Sequence, residues 1–117
     1  MVFVNDEEKF NVYTGEFKEG FYHGKGVMEY YNGDKYDGEW ALGKKDGAGM
    51  YEWSDGDYYD GQWEKDSAEG TGAACFGGVF YDGEFHLGEK HGLGEETDAD
   101  GNTTKAMWQG GKIIKKL

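Results

Sequence analysis

The chain has 117 residues and carries 24 acidic against 12 basic side chains, for a net charge of -12. Every basic residue is Lys, so the chain lacks the planar Arg fork that reads phosphate, and its charge opposes both nucleic acid and an anionic membrane face. Gly accounts for 22 residues without a Gly-X-Y period, and aromatics make up 17%, a combination that excludes collagen, a disordered linker and long helices. A single cysteine, Cys75, excludes an intramolecular disulfide and fits a reducing compartment. No apolar run reaches the length of a membrane span or a signal peptide, so the cytoplasm is the expected location.

Residues 1–12 come first. The segment VFVNDEEKFNV reads as a strand and turn that do not match the repeated pattern of residues 13–111, a capping element. From residue 13 to 111 one phrase recurs. Tyr-x-Gly-Glu/Gln-aromatic begins at Tyr13, Tyr36, Tyr59 and Tyr81, with a degraded copy at Thr104. The copies lie 23, 23, 22 and 23 residues apart. Such a period means stacked small units, each unable to bury its own apolar surface.

Positions are numbered from zero at the Tyr. Gly recurs at +2, at +11 (Gly24, Gly47, Gly70, Gly92) and at +13 (Gly26, Gly49, Gly72, Gly94). The aromatic at +4 is Phe17, Trp40, Trp63 or Phe85. Side chains alternate across a strand, so 0, +2 and +4 share one face while +1 and +3 share the other. A second strand runs from +11 to +17. Folding the two into an antiparallel hairpin near the +7 Gly predicts +4 opposite +11, +2 opposite +13, and 0 opposite +15. The ring at +4 would then cover the +11 Gly of its own unit, and the Tyr would lean over the +13 Gly. Asn32-Gly33, Asp55-Gly56 and Asp100-Gly101 mark the second turn of their units.

The expected fold is all-β: an elongated, single-layer, twisted antiparallel sheet of tandem β-hairpins, about nine strands and on the order of 45 Å long. One face carries an aromatic ribbon and the other a solvated row of carboxylates. Copy three is one residue short near Gly77-Gly78, which predicts a bulge or an altered turn there. In copy four, Glu95, Glu96, Thr97 and Asp98 replace aromatics and read as a polar cap. Residues 112–117 form the only basic cluster and read as a tail.

The unit resembles the MORN (membrane occupation and recognition nexus) repeat, whose pattern is Tyr-x-Gly-Glu-Trp-x-x-Gly-x-x-His-Gly-x-Gly. The +10 His is kept as His23 and His91 and replaced by Asp46 and Glu69; the +7 Gly is replaced by Asp66. The resemblance implies a hairpin sheet used for scaffolding, in cytoskeletal, ciliary or membrane-associated assemblies, with the +10 His supporting a turn.

Local motifs are weak beside the repeat. His23 and His91 share one repeat position, which argues for structure over metal binding. Glu96 to Gly101 imitates the start of a calcium loop, but the place of its bidentate Glu holds Met107. Gly24-Lys25-Gly26 is followed by no helix to receive a phosphate. Asn102-Thr103-Thr104 matches a glycosylation acceptor with nothing directing secretion, and Cys75 lacks a patterned His. No catalytic constellation stands out, so no enzyme activity and no cofactor are expected.

These features point to a protein–protein interaction scaffold, a small structural subunit of a cytoskeletal, ciliary or other large assembly. The expected partner is an amphipathic helix or extended peptide, basic in character, with edge strands open to a second copy. The expected contact residues are Tyr36, Trp40, Tyr51, Trp53, Tyr59, Trp63, Phe76 and Phe85, because large rigid rings on an uncovered face suit partner capture. Two alternatives are phospholipid tethering through Lys112, Lys115 and Lys116 beside Ile113 and Ile114, and a regulatory subunit for an enzyme on another chain.

Overall fold

The computed structural model describes residues 2–6 and 9–117, with side chains from Phe10 onward. Among the described residues there are eleven strands and no helix. They are β1 Val2–Asp6, β2 Lys9–Lys18, β3 Phe21–Glu29, β4 Lys35–Ala41, β5 Lys44–Glu52 and β6 Tyr58–Glu64. The rest are β7 Ser67–Phe76, β8 Val79–His86, β9 Glu89–Thr97, β10 Thr103–Gln109 and β11 Lys112–Lys116. All join in chain order into one antiparallel sheet, with overall dimensions of 47 × 27 × 18 Å. The nine strands expected from the repeats are β2 to β10. Residues 112–117, expected as a tail, instead supply the eleventh strand. The polar segment at Glu95–Thr97 belongs to β9 and pairs with β10, so it lies inside the sheet rather than at its end.

The core is the Tyr at position 0. Tyr13, Tyr36, Tyr59 and Tyr81 are at most 2% exposed. Each ring lies over the paired glycines at +2 and +13, as in Gly38↔Gly49. A Cβ on Gly49 would fall on the Tyr36 phenol, and one on Gly38 would meet the Gly49 backbone. Only vacant backbone admits the ring, so the unfavourable strand propensity of Gly is offset by aromatic burial. Each phenol also donates to the carbonyl three residues on, at 2.8–2.9 Å: Glu16, Glu39, Gln62 and Glu84.

The register within a unit departs from the simple hairpin. Gly38 pairs with Gly49, but Trp40 pairs with Lys45. One residue, Glu39, thus faces three, Asp46, Gly47 and Ala48, which is a bulge. Gly47 there has φ +99°, a conformation open to Gly and strained for L side chains. The Glu39 carboxylate fills the bulge and accepts from the Ala48 amide at 2.7 Å. The other units repeat this with Glu16–Lys25, Gln62–Thr71 and Glu84–Leu93. The +3 side chains are therefore structural acceptors rather than members of a merely solvated row.

The bulge corrects the expectation that Trp40 covers Gly47. Trp40 lies opposite Gly24 of the preceding unit, and Trp63 lies opposite Gly47. The +11 Gly is needed for backbone conformation, not as a vacancy beneath its own unit's ring. The +4 indole instead ties neighbouring units: Trp40, Trp63 and Trp108 donate to the carbonyls of Gly26, Gly49 and Gly94 at 2.9–3.2 Å.

Both margins of the sheet are stitched between units as well. The +7 amides of Gly43, Asp66, Gly88 and Gly111 donate to the preceding unit's +9 carbonyl at 2.9–3.1 Å. At the opposite margin Asn11, Asp34 and Asp57 accept from the turn amides of Tyr31, Ser54 and Gly77. In the short third unit, Gly77 and Gly78 both have positive φ, giving the two-residue hairpin turn that the missing residue requires.

Candidate interaction surface

The eight expected contact residues divide into two groups. Tyr36, Trp40, Tyr59 and Phe85 are buried, between 0% and 6% exposed. They have no free ring surface to offer, because the bulge folds them onto the glycine row and against one another. Tyr36 meets Trp40 and Trp63 edge-on with centroids 4.9 and 5.5 Å apart, and Tyr59 meets Phe85 at 4.7 Å. These are the core contacts a single-layer sheet can make. Tyr51, Trp53 and Trp63 are half-buried, and Phe76 is 41% exposed.

The accessible rings join in space. Tyr30 reaches Tyr51 at 5.8 Å, Tyr51 reaches Trp53 at 4.7 Å, and Trp53 reaches Phe76 at 5.3 Å. Trp63 lies 6.3 Å from Tyr51. A strip of half-exposed rings therefore crosses from β3 to β7 along one margin. It arises where +15 and +17 residues stand beyond the glycine row, with no second layer to cover them.

Asp34 anchors this strip, and the expected contact set omits it. It is 8% exposed, and its carboxylate accepts from the Tyr51 hydroxyl at 2.7 Å and the Ser54 amide at 2.9 Å. Burial, and next the bond to Asp34, push the Tyr51 phenol above its ordinary value. Burial alone heads the causes that raise Tyr30 to about 12. Recurrence of Asn11, Asp34 and Asp57 two residues before Tyr13, Tyr36 and Tyr59 was the available signal. Lys45 is a second feature the repeat pattern left unmarked. Its ammonium lies 5.4–5.7 Å from the rings of Tyr36, Tyr51 and Trp63, a cation–π arrangement. Lys90 repeats it over Tyr81 and Trp108 and pairs with Glu96 at 2.6 Å.

Of the other candidate motifs, His23 and Gly24-Lys25-Gly26 lie in β3, Cys75 in β7 and His91 in β9, while the calcium-loop mimic ends in the turn between β9 and β10. Asp98 accepts from the amides of Asp100 and Asn102, and the Asn102 amide leads in holding its carboxyl below the ordinary value. Glu69, at the +10 position, accepts from the Leu87 amide at 2.5 Å and contacts His86 Nδ1 at 2.9 Å. The Leu87 amide is the main cause of its lowered pKa. Asp46, also at +10, accepts from the Lys65 amide of the next unit's turn. In the second and third units position +10 thus supports a turn in the following unit. His91 lies beside His86 with the two rings tilted and their centroids 5.3 Å apart.

The repeat geometry now stands complete: a buried Tyr on paired glycines, a capped bulge, and an aromatic tying each unit to the last. The family model for the MORN repeat matches residues 13–35, 36–58, 59–73 and 81–103. The chain belongs to the MORN repeat family. The third MORN match stops at Ala73, just before the unit's hairpin shortens to the Gly77-Gly78 turn. No curated protein is similar enough to the chain to be matched to it. MORN repeats are in general a non-enzymatic module suited to protein or membrane interaction. Among the described residues, no helix is long and apolar enough to cross a membrane.

Proposed function

We propose that the chain is a non-enzymatic MORN scaffold that binds a partner helix or extended peptide on the strip formed by Tyr51, Trp53, Trp63 and Phe76. The observation that carries this reading is the run of touching, half-exposed rings from Tyr30 to Phe76 on an uncovered sheet face. Contiguous exposed apolar surface marks interaction sites, and rigid aromatics dominate their energetics. Asp55 and Asp57 in the adjoining turn favour a basic partner. Its setting would be a cytoskeletal, ciliary or other large assembly in the cytoplasm.

Trp53→Ser combined with Phe76→Ser removes one half-buried and one exposed ring of the strip and leaves the four core tyrosines in place. Affinity capture with quantitative mass spectrometry, wild type against this variant, tests the reading. The expected result is a partner retained by wild type and lost by a variant that still unfolds cooperatively with the wild-type β-sheet circular dichroism. An identical set of retained proteins would overturn it.

A second reading rests on β11, where Ile113, Ile114 and Leu117 are exposed beside Lys112, Lys115 and Lys116. That combination suits weak attachment to anionic lipid. Flotation with phosphatidylserine vesicles at low salt should recover the chain and fail for Lys115→Gln with Lys116→Gln. Equal recovery would overturn the assignment to β11, and no recovery of either protein would eliminate lipid tethering.

A further inference from the structure

We propose that the face opposite the aromatic strip is a second docking surface, shaped for an amphipathic helix that lies across the strands with basic residues about seven positions apart. The surface follows from the register. Asp37, Met50, Asp60, Ala73 and Asp82 are successive cross-strand partners from β4 to β8. Their side chains form one row, with a carboxylate on every second strand. Strands about 4.8 Å apart place those carboxylates about 10 Å from each other, with an apolar side chain between. Asp37, Asp60 and Asp82 are exposed, and among the described residues their carboxylates make no hydrogen bond or ion pair.

Beside this row lies a patch that the repeat does not explain. Tyr58, Cys75 and Phe80 are consecutive cross-strand partners on the same face. The equivalent places in earlier units hold Glu29, Lys35 and Glu52. Phe80 is 50% exposed, and no ring contact accounts for it. Two depressions open along the row. One of about 500 Å³ lies between Asp37, Met50 and Asp60, and one of about 290 Å³ lies between Tyr58, Ala73, Phe80 and Asp82. The face is therefore an open trough of mixed lining, with Lys25 and Glu39 beside the first depression, apolar side chains between the carboxylates of the row, and regularly spaced negative charge.

The occupant follows from charge and backbone chemistry. Carboxylates at these intervals repel phosphate and select Lys or Arg. A strand laid crosswise on this face would meet side chains rather than a sheet edge and leave its amides without backbone partners, whereas a helix satisfies its own. Two helical turns advance about 10.5 Å, close to the carboxylate spacing and within reach of flexible basic side chains. Three rows of side chains, two residues apart along the strands, span about 14 Å, enough for a helix about 10–12 Å wide. Beyond Asp82 the row continues to Glu95, which pairs with Lys105 at 3.8 Å and ends the unpaired run. The run covers about 19 Å, or about thirteen helical residues.

The probe is a synthetic helical peptide of about 18 residues, with three lysines about seven apart and Leu or Ala on the same face between them. Its control has the same composition with the lysines about four apart. Titration by calorimetry at low salt should show the seven-spaced peptide binding at least about tenfold more tightly than the control. Asp60→Asn with Asp82→Asn, isosteric changes at exposed sites, should abolish that preference. The Trp53→Ser and Phe76→Ser variant should keep it, which separates this surface from the aromatic strip. Equal affinity for the two peptides, an undiminished preference in the Asn variant, or no binding by either peptide would overturn the proposal.

Discussion

The second and third units, beginning at Tyr36 and Tyr59, solve one packing problem with different residues. The second turns through Leu42-Gly43, places Lys45 over its rings, and closes with the three-residue turn Ser54-Asp55-Gly56. The third turns through Lys65-Asp66, has Ala68 in place of the lysine, and closes with Gly77-Gly78. Yet Tyr36 and Tyr59 are 0% and 2% exposed, and both donate at 2.8 Å to the carbonyl three residues on. Turn chemistry is exchangeable; the ring, the paired glycines and the bulge are not. Asp66 shows how an exchange is tolerated. Its φ of 72° is unusual for a non-glycine residue, though Asp is among the side chains that adopt it more readily. Its carboxylate receives the Lys45 amide at 2.8 Å, a bond that Gly cannot make.

If the two units share that framework, the same lesion should cost both alike. Gly49→Ala and Gly72→Ala each drive a methyl into a buried Tyr ring and should each destabilise by more than about 3 kcal/mol, measured by urea unfolding. A mild effect in the third unit alone would break the comparison. Tyr36→Phe and Tyr59→Phe strand the bulge carbonyl and should each cost about 1–3 kcal/mol. The turns should differ where the rings do not. Asp34→Ala removes two bonds from a buried carboxylate and should cost about 1–3 kcal/mol, while Asp57→Ala removes one exposed bond at 3.1 Å and should cost under about 1 kcal/mol.

The smallest effect expected is in alkali. Burial is the leading cause that raises Tyr59 and Tyr81 from 10.0 to about 12, and it raises Tyr36 as well. The folded state therefore holds these protons more tightly than the unfolded chain. Their contribution to stability is whole below pH 10 and is lost as pH rises from there toward 12. The urea midpoint should hold steady up to about pH 9.5 and decline above about pH 10. A midpoint that climbs over that range would contradict the burial.

Much of this was legible in the sequence, for a physical reason. A 23-residue spacing with Tyr, Gly and aromatic at alternate positions fixes strand faces and hairpin order, and the missing residue locates an irregularity at Gly77-Gly78 without choosing between a bulge and the turn that forms. The neighbour of Trp40 was not legible. Spacing alone cannot distinguish a contact within a unit from one between units, and the bulge at Glu39 exchanges Gly47 for Gly24. The same bulge decides exposure. Tyr36, Trp40, Tyr59 and Phe85 share a face with Trp53 and Phe76, but only the first four are folded over the glycine row. Asp34 was readable from its recurrence, yet its bond to Tyr51 depends on a turn in the next hairpin.

The central claim is that each Tyr ring lies against the glycine pair of its own hairpin. Nuclear magnetic resonance of the Gly26, Gly49, Gly72 and Gly94 Hα protons tests it most directly. Ring currents should shift these protons strongly upfield, with Overhauser contacts from Gly49 to Tyr36 and from Gly72 to Tyr59. Random-coil shifts at those four glycines, or Gly47 rather than Gly24 in contact with the Trp40 indole, would contradict the account.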